Sequence, residues 1–376
     1  MNRRGKGEGS IAQRPDGLWE ARINIGTDAT GKRLRKSVYG ATKKAVADKL
    51  TKLAGQKIDG TLIDTGRMTV GDMLDRWLND EAAAKCAANT THRYRGLAEK
   101  HIKPRIGSIR LAMLKPVHVQ GLLTAMVRDK VGARTQGYAY ATCRRAFNIA
   151  VKWGLLTRNP CDAITAPRHQ RKDIHPLTVE QAVATLKASE ATNYHALFVL
   201  AMTTGLRQGE LFGLQWADID LERGTLSVRH SLEEVAGQLV LKEPKSRSGR
   251  RQIALSALAT DALWGHKRAL LANGLAGGAT VFPSVEGGWL RKSNFARRVW
   301  HPVRKAAGLP EAITFHGLRH SAATLLLSEG ISVKVIQEML GHSNVALTLN
   351  TYSHVVPAMR GQAAATFDRL LGTKTA

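Results

Sequence analysis

Alternating hydrophobic and polar residues near the beginning of the chain predict a small β-sheet. Turn-forming residues separate three short strands, which we expect at Ser10–Arg14, Trp19–Ile25 and Lys32–Val38. The period of two places the apolar side chains of the second strand on one face and its polar side chains on the other. A helix from Thr42 to about Ile58 follows, and its apolar stripe would cover the first face. That stripe consists of Ala45, Val46, Leu50 and Leu53.

Residues 67–166 carry hydrophobic residues every three to four positions, which predicts an almost wholly helical region of four helices. The second helix is expected to close at Pro104 and Gly107, and the fourth to end at Gly154. The four predicted spans are Thr69–Leu78 with Thr69 as its N-cap, Thr90–Ile102, Pro116–Arg128 and Thr135–Trp153.

A charged, proline-bounded stretch at residues 167–176 is poor in core residues and predicts an interdomain linker. Beyond it, strands at Leu226–Arg229, Leu239–Leu241 and Gln252–Leu255 are expected to form one small sheet among helices. The fold class is therefore multidomain α+β. Its parts are a small three-stranded sheet plus helix, a helical domain, and a mainly α domain with a small antiparallel sheet.

The charge of the chain indicates a polyanionic partner. Among 376 residues, 56 are Lys or Arg and 30 are Asp or Glu, a formal net charge of +26. Nucleic acid is the leading candidate, and an acidic protein or an anionic membrane surface is the alternative. No apolar run approaches the ~20 residues of a membrane span, and no signal-peptide core follows the basic first residues. We expect a cytoplasmic nucleic-acid-binding protein with no membrane partner.

The cysteines and carboxylates indicate no metal or redox chemistry. Cys86, Cys143 and Cys161 are widely spaced and form no CxxC pair or zinc pattern, so reduced thiols are expected. No cluster of carboxylates suggests paired Mg²⁺ sites. The sequence therefore predicts a protein without a cofactor.

Two motifs place arginines where they could bind an anion. Helical periodicity breaks at Thr204-Gly205, so Arg207 begins the next short helix, whose free backbone N–H groups also favour an anion. Glu210 lies one turn further on and is expected to orient Arg207. His316 and Arg319 are three residues apart and share one face of a later helix.

A histidine and a tyrosine follow near the C-terminus. Ser332 is expected to cap a helix through Leu340, which Gly341 ends in a left-handed conformation. His342 begins the next turn, and Tyr352 comes ten residues later. Arginine forks can hold non-bridging phosphate oxygens, histidines can move protons or donate to the phosphate, and a phenol can attack. This set suits metal-free attack on a phosphodiester.

Taken together, the motifs Arg207-Gln208-Gly209-Glu210, His316-Gly317-Leu318-Arg319-His320 and Leu340-Gly341-His342, followed by Tyr352, resemble the tyrosine recombinase (phage integrase) family. The resemblance implies that Tyr352 is the nucleophile and forms a 3′-phosphotyrosine. It implies that Arg207, Arg319, His316 and His342 stabilise the charge that develops on the phosphate. It also implies that His320, the residue after Arg319, and Glu210 contact these side chains and orient them without contacting the phosphate.

The resemblance also implies a catalytic lysine in a hairpin. Pro244-Lys245-Ser246, followed by two arginines, is similar to the family's lysine segment, so Lys245 is the candidate general acid that protonates the leaving 5′-oxygen. A lysine suits this role if neighbouring cations lower its pKa, and Arg247, Arg250 and Arg251 are such neighbours. Lys242 is the competing candidate, and a loop that only contacts phosphates is the alternative.

By the same resemblance the chain divides into an arm-type DNA-binding domain at residues 1–63, a helical core-DNA-binding domain at 67–166, the linker at 167–176 and a catalytic domain at 177–376. In the family the two larger domains clamp the duplex, and the N-terminal sheet enters the major groove. The residues expected to contact DNA are Arg22, Arg33, Arg35, Arg93, Arg95, Arg144, Arg145, Arg247, Arg250 and Arg251.

The function that this resemblance implies is site-specific integration, and with accessory factors excision, of a phage or other mobile element. The expected partners are double-stranded DNA with core and arm attachment sites, a homotetramer on paired sites, a DNA-bending host factor and an excision factor. A chromosome-dimer resolvase is the nearest alternative, although the extra N-terminal sheet favours an integrase. A type IB topoisomerase, which shares the chemistry but needs no paired sites, and a DNA-binding regulator without catalysis are further candidates.

Overall fold

The computed structural model describes residues 9–27, 33–58, 67–169, 175–244, 249–275, 277–342 and 344. The chain forms two compact units, Met1–Gln170 and Arg171–Ala376. Their boundary lies inside the stretch predicted as a linker. Among the helices of the described ranges, none is long and apolar enough to cross a membrane.

An antiparallel three-stranded sheet with one covering helix begins the first unit, as the alternating pattern predicts. Val46, Leu50 and Leu53 of the helix pack with Ala21 and Ile23 of the central strand in a small core. Ala45, predicted on this stripe, is exposed instead, because it precedes Val46 and lies on the flank of the helix. In order along the chain and across the sheet, the elements are β1 (Ser10–Gln13), β2 (Trp19–Thr27) and β3 (Arg33–Gly40), then helix α1 (Lys43–Ile58).

The rest of the first unit is helical and has its own core, with the large side chains of Trp77 and Phe147 fully buried. Thr69 caps the first helix in a reciprocal capping box with Asp72. Two π-helical segments, Trp77–Ala82 and Ala98–Ile102, join successive α-helices. The α-helices are α2 (Val70–Arg76), α3 (Ala83–Lys85), α4 (Ala88–Leu97), α5 (Lys103–Ile106), α6 (Pro116–Arg128) and α7 (Ala133–Lys152).

The second predicted helix ends at Gly107, as expected, but it does not close at Pro104. The helical chain continues through Pro104 to Ile106, and Gly107 donates its N–H to Lys103 O at 2.9 Å. Pro104 follows the π-helical segment, where the regular hydrogen-bond ladder is already displaced, so the missing N–H of proline breaks no regular bond.

Helices dominate the second unit. Helix α9 (His195–Thr204) is apolar on all sides and almost entirely buried, and it contacts several other helices of this unit. Phe198 of α9 meets the rings of Phe295 and Phe315 in an aromatic cluster. The helices are α8 (Val179–Ser189), α9 (His195–Thr204), α10 (Gln208–Phe212), α11 (Ala257–Ala272), α12 (Lys292–Phe295), α13 (His301–Ala306), α14 (Gly317–Ser328) and α15 (Val333–Leu340).

The described strands of the second unit form two sheets, so the prediction of one sheet is wrong. The predicted strands at Leu226–Arg229 and Gln252–Leu255 pair with each other, whereas the one at Leu239–Leu241 pairs with a strand that was not predicted. The three-stranded sheet contains β4 (Ile219–Asp220), β5 (Thr225–Val228) and β8 (Arg251–Ala254), whereas β6 (Ser231–Val235) and β7 (Gln238–Lys242) form a separate hairpin.

A two-residue turn explains the hairpin. Ala236 and Gly237 both have positive φ, 50° and 82°, as a type I′ turn requires, and this turn matches the twist of two antiparallel strands. Alanine rarely takes this conformation, so the sequence carried no clear turn signal there. The overall fold class, α+β with small antiparallel sheets, is confirmed.

Candidate active site

Arg207 stands at the N-cap of α10, as predicted. Helix α9 ends at Gly205, and a Cβ there would lie 2.6 Å from a Leu340 side-chain atom. Glycine is required both by this close approach and by its positive φ of 60°. The Glu210 carboxylate accepts hydrogen bonds from the backbone N–H of Arg207 at 2.9 Å and from its Nη1 at 2.8 Å. Because Glu210 is 4% exposed and Arg207 is 41% exposed, a buried anion holds an accessible guanidinium in place.

Arg319 joins α14 to the ends of two other helices. Its side chain is 3% exposed, its Nη1 donates to Gly205 O at 2.7 Å, and its Nη2 donates to Leu340 O at 2.8 Å. The loop before Arg207 and the end of α15 are therefore tied to the same guanidinium. The three-residue spacing of His316 and Arg319 gave no indication of these distant contacts.

Arg251 lies in the interior and not on the surface, where a DNA contact was expected. It is on β8, its side chain is 7% exposed, and its Nη2 donates to Glu210 at 2.9 Å. Its Nε donates to Met339 O at 2.6 Å. Basic neighbours surround Arg251 in the sequence and gave it the pattern of a DNA-binding arginine, and only the fold reveals that it faces Glu210.

The C-terminal end of α15 collects all three arginines. The last carbonyls of a helix lack partners within the helix and carry partial negative charge. Here Gly341, with φ of 66°, ends the helix in the predicted left-handed conformation. Arg251, Arg319 and Arg207 donate to three successive carbonyls, those of Met339, Leu340 and Gly341 respectively, the last at 3.1 Å. The next residue is His342.

The histidines lie around these arginines. His342 is buried, its N–H donates to Gln337 O at 3.1 Å, and its carbonyl accepts from Gln337 Nε2 at 2.7 Å. His316 is the N-cap of α14, and its ring lies edge-to-face with that of His320, with 5.1 Å between centroids. The structure thus brings Arg207, Arg319, His316 and His342 to one place.

Burial and neighbouring cations keep both imidazoles neutral. Burial, then the charges of Arg319 and Arg207, lower the pKa of His342 to about 4. Burial and the nearby His320 and Arg319 also lower the pKa of His316 to about 4, although the residue as a whole keeps an exposed surface. A phosphate bound among these cations would offset their charge and raise both pKa values. The site is therefore built to receive an anion.

We expect the stability of the second unit to depend on these pKa values. The pKa of His342 is near 6.5 in the unfolded chain and about 4 in the folded protein. Between those two pH values the unfolded chain therefore binds more protons than the folded one. The free energy of unfolding should therefore fall as pH drops from about 6.5 to about 4 and then level off for this group. Urea unfolding across that range should show a shallower fall for His342→Gln. Equal slopes for wild type and His342→Gln would contradict the assignment.

Burial raises the pKa of Glu210, but the hydrogen bond and charge of Arg251 and the charge of Arg207 outweigh burial and lower it. Glu210 is therefore ionised at neutral pH. A buried carboxylate of this kind is stable only while both arginines face it.

The remaining predicted residues of this region divide into two groups. Lys245, Arg247 and Tyr352 lie outside the described residues. Lys242, the competing general acid, pairs with Glu233 at 3.2 Å, and Arg250 is exposed and pairs with Glu243.

The predicted DNA contacts of the N-terminal sheet lie at its surface. Arg22 pairs with Glu20 at 2.8 Å, and this hydrogen bond lowers the pKa of Glu20 to about 2. Arg33 and Arg35 are exposed on β3, and the register sets Asn24 opposite Arg35. Arg22 and Arg35 therefore share a face.

On the helical part, the predicted arginines rest against aromatic and polar side chains. Arg93 lies over the Tyr138 ring at 4.9 Å, and Arg145 lies over that of Tyr94 at 5.8 Å. The other two contacts are Arg95 with Asn79 and Arg144 with Asp162. Within the described part of the chain, no three His, Cys, Asp or Glu residues are grouped to hold a metal ion.

The chain matches two family models and several known relatives. Residues 173–359 match the phage integrase family, and residues 69–127 match the phage integrase N-terminal SAM-like domain. A tyrosine recombinase XerC-like protein of Caldanaerobacter subterraneus is 28% identical over 93% of this chain and 95% of its own length. The tyrosine recombinase XerC of Rhodospirillum centenum is 31% identical over 73% of this chain and 79% of its own.

Solved structures share the fold. The Tn1549 transposon integrase in complex with a circular intermediate DNA has a TM-score of 0.67 at 24% identity, covering 80% of this chain and 99% of that one. A lambda integrase dimer bound to a core site has a TM-score of 0.59 at 21% identity, covering 94% and 96%. The sequence matches, the fold and the convergence of arginines and histidines agree, and the chain belongs to the phage integrase, or tyrosine recombinase, family.

Proposed function

We propose that this protein is a site-specific DNA integrase that breaks and rejoins DNA through a 3′-phosphotyrosine intermediate. The observation that carries the proposal is the convergence of Arg207, Arg319, His316 and His342 beyond the end of α15, where His342 precedes Tyr352 by ten residues. The relatives called integrases and the solved integrase–DNA complexes support it.

In the proposed reaction, the Tyr352 phenol oxygen attacks the scissile phosphorus and gives its proton to a neutral imidazole. The bond from phosphorus to the 5′-oxygen breaks, and Lys245 protonates that oxygen. Arg207 and Arg319 hold the non-bridging oxygens as charge develops on them. A 5′-hydroxyl from a partner strand then attacks the phosphotyrosine and releases Tyr352, so the phosphodiester energy is retained.

The same proposal covers the partners. Residues 1–63 would bind arm sites, residues 67–166 and 177–376 would hold the core site, and residues 167–176 would link them. A tetramer would act on paired sites in the bacterial cytoplasm, with a DNA-bending host factor and an excision factor. Support for oligomerisation comes from the lambda integrase dimer on a core site and tetramer on a Holliday junction.

Covalent capture can test the proposed function and identify the attachment site in one experiment. The protein is incubated with a library of nicked duplexes of randomised sequence. After cleavage the short fragment beyond the nick diffuses away, so religation cannot occur and the covalent intermediate is trapped. We expect DNA that stays attached to protein after denaturation, enriched for one core sequence, with the linkage mapping to Tyr352 by mass spectrometry. Absence of any adduct would refute the proposal.

A chromosome-dimer resolvase is the second candidate, because the relatives include proteins called XerC. The two activities differ in their substrates. An integrase joins a circle carrying its captured site to a second site, whereas a resolvase separates two copies of one site within a dimer. Recombination assays on paired plasmids that carry the captured sequence distinguish them, and arm-site dependence would favour an integrase.

A leaving-group test examines Lys245. If Lys245 is the general acid, Lys245→Ala should cut an ordinary phosphodiester slowly but should cut a 5′-bridging phosphorothiolate at close to the wild-type rate, since a thiolate leaves without protonation. Single-turnover cleavage of both substrates measures this. Equal defects on the two would assign Lys245 to phosphate contact alone, and the same pair of measurements on Lys242→Ala tests the competing lysine.

Removal of residues 1–63 should separate two DNA-binding activities. The basic sheet face with Arg22, Arg33 and Arg35 is proposed to read arm sites, so the truncated protein should keep weak core binding and adduct formation. It should lose arm binding and most integration, because one chain that holds both sites gains effective concentration. Footprinting and integration assays measure the two effects, and arm sites still protected by the truncated protein would contradict this division.

A further inference from the structure

A closed ring of hydrogen bonds lies behind the proposed phosphate site. Arg251 donates to Glu210, and Glu210 accepts from Arg207. Arg207 donates to Gly341 O, and Arg251 donates to Met339 O at 2.6 Å. The backbone between Met339 and Gly341 closes the ring. The ring therefore connects β8, α10 and the end of α15.

Arg251 has little capacity left to bind anything else. Its Nη1 also donates to Gly249 O at 3.1 Å and to Glu210 at 3.3 Å. A guanidinium has five N–H groups, and Arg251 makes four hydrogen bonds to one carboxylate and two carbonyls inside the protein. The side chain of Arg251 is 7% exposed and is held by these internal acceptors, whereas its neighbour Arg250 is exposed.

Met339 connects this ring to the proposed catalytic residues. Met339 lies three residues before His342 and thirteen before Tyr352. A planar guanidinium that bonds a carboxylate and a carbonyl at once fixes both the distance and the angle between them. The end of α15 is thereby held at a set position relative to Glu210, and through Glu210 relative to Arg207.

On these contacts we propose that Arg251 is a positioning residue for strand cleavage, which holds the end of α15 and the adjoining His342 in register with Arg207 without contacting DNA. The inference rests on the proposed function, since it concerns the same cleavage step. Strand β8, which carries Arg251, would thus contribute to the cleavage step.

The test uses Arg251→Met in the full-length protein, with the nicked duplex recovered by covalent capture as the probe. This variant removes the bonds but keeps an unbranched side chain. We expect single-turnover cleavage at saturating protein to slow by on the order of 100-fold, the cost of a misplacement of about 1 Å, while affinity for the duplex stays close to wild type. Arg251→Lys keeps the charge but cannot span both acceptors, so an intermediate rate is expected.

Arg304→Met is the matched control for stability. Arg304 is also largely buried, donates to Glu311 O at 2.9 Å and pairs with the Glu311 carboxylate, away from the ring. This variant should lose stability in urea unfolding but keep the wild-type cleavage rate. If Arg251→Met and Arg304→Met slow cleavage equally, or if folded Arg251→Met cleaves at the wild-type rate, the proposal is overturned.

A pH profile separates positioning through Glu210 from a general packing role. In Arg251→Met the buried Glu210 would face Arg207 alone, so its pKa should rise, and cleavage should fall as the pH is lowered. The double variant Glu210→Gln/Arg251→Met should lack this acidic limb and should cost no more than Glu210→Gln by itself. Additive losses and an unchanged profile would overturn the proposal. Absence of any wild-type adduct would instead refute the proposed function.

Discussion

Replacement of Tyr352 by phenylalanine is expected to abolish covalent attachment to DNA while leaving site-specific binding intact. The change removes one oxygen atom, the proposed nucleophile, and leaves the ring. Affinity for DNA comes mainly from contacts with the phosphate backbone, to which a single phenol adds little. Gel electrophoresis under denaturing conditions should show no adduct, and a mobility-shift assay should show binding close to that of wild type.

Tyr194→Phe is the matched control for this experiment. Tyr194 belongs to the same unit, and its hydroxyl donates to Pro283 O at 3.0 Å in the interior. Loss of that hydroxyl removes a buried hydrogen bond without touching the proposed site, so the adduct should persist. An adduct formed by Tyr352→Phe would show that another residue attacks and would remove the central assignment.

Local signals allowed parts of the fold and of this site to be predicted. The Thr69 N-cap, the break at Gly205 that places Arg207 on a helix N-cap, and the left-handed Gly341 each depend on a few neighbouring residues. Caps and glycine conformations are set by short-range sterics and hydrogen bonds, which a sequence displays directly.

Features that depend on distant partners could not be predicted in the same way. Arg251 looked like a surface cation because its neighbours are basic, yet its partner Glu210 is 41 residues away in the sequence. The pairing of β7 with β6 depends on a turn at Ala236, a residue that gives no turn signal. In each case tertiary contact outweighed local propensity.

The electrostatics of the site follow from the same long-range assembly. Three arginines and two neutral imidazoles meet at the negative end of α15, and Glu210 provides an ionised carboxylate behind them. The carbonyls and Glu210 partly neutralise the arginines, so like charges can be held together before DNA arrives. Preorganised donors of this kind stabilise developing charge at no reorganisation cost, which is the principal means of catalysis at a site where the proposed mechanism uses no metal.

Arg319→Ala is expected to have the second of the two largest effects. In the proposed mechanism Arg319 donates to a non-bridging oxygen, and removal of one such donor costs on the order of 100- to 1,000-fold in rate. The substitution also leaves Gly205 O and Leu340 O without this donor inside the protein, at about 1–3 kcal/mol for each buried group left unsatisfied. Single-turnover cleavage and urea unfolding should therefore both show a loss.

The two losses can be separated with Arg319→Lys. A lysine retains the charge but cannot bond two carbonyls and a phosphate oxygen in one plane, so stability should recover more than cleavage does. Arg304→Ala, which removes a buried arginine elsewhere in the unit, should lower stability without slowing cleavage by folded protein. If cleavage by folded Arg319→Ala equals that of wild type, Arg319 only joins the ends of α9 and α15, and the phosphate must be held by Arg207 and the histidines alone.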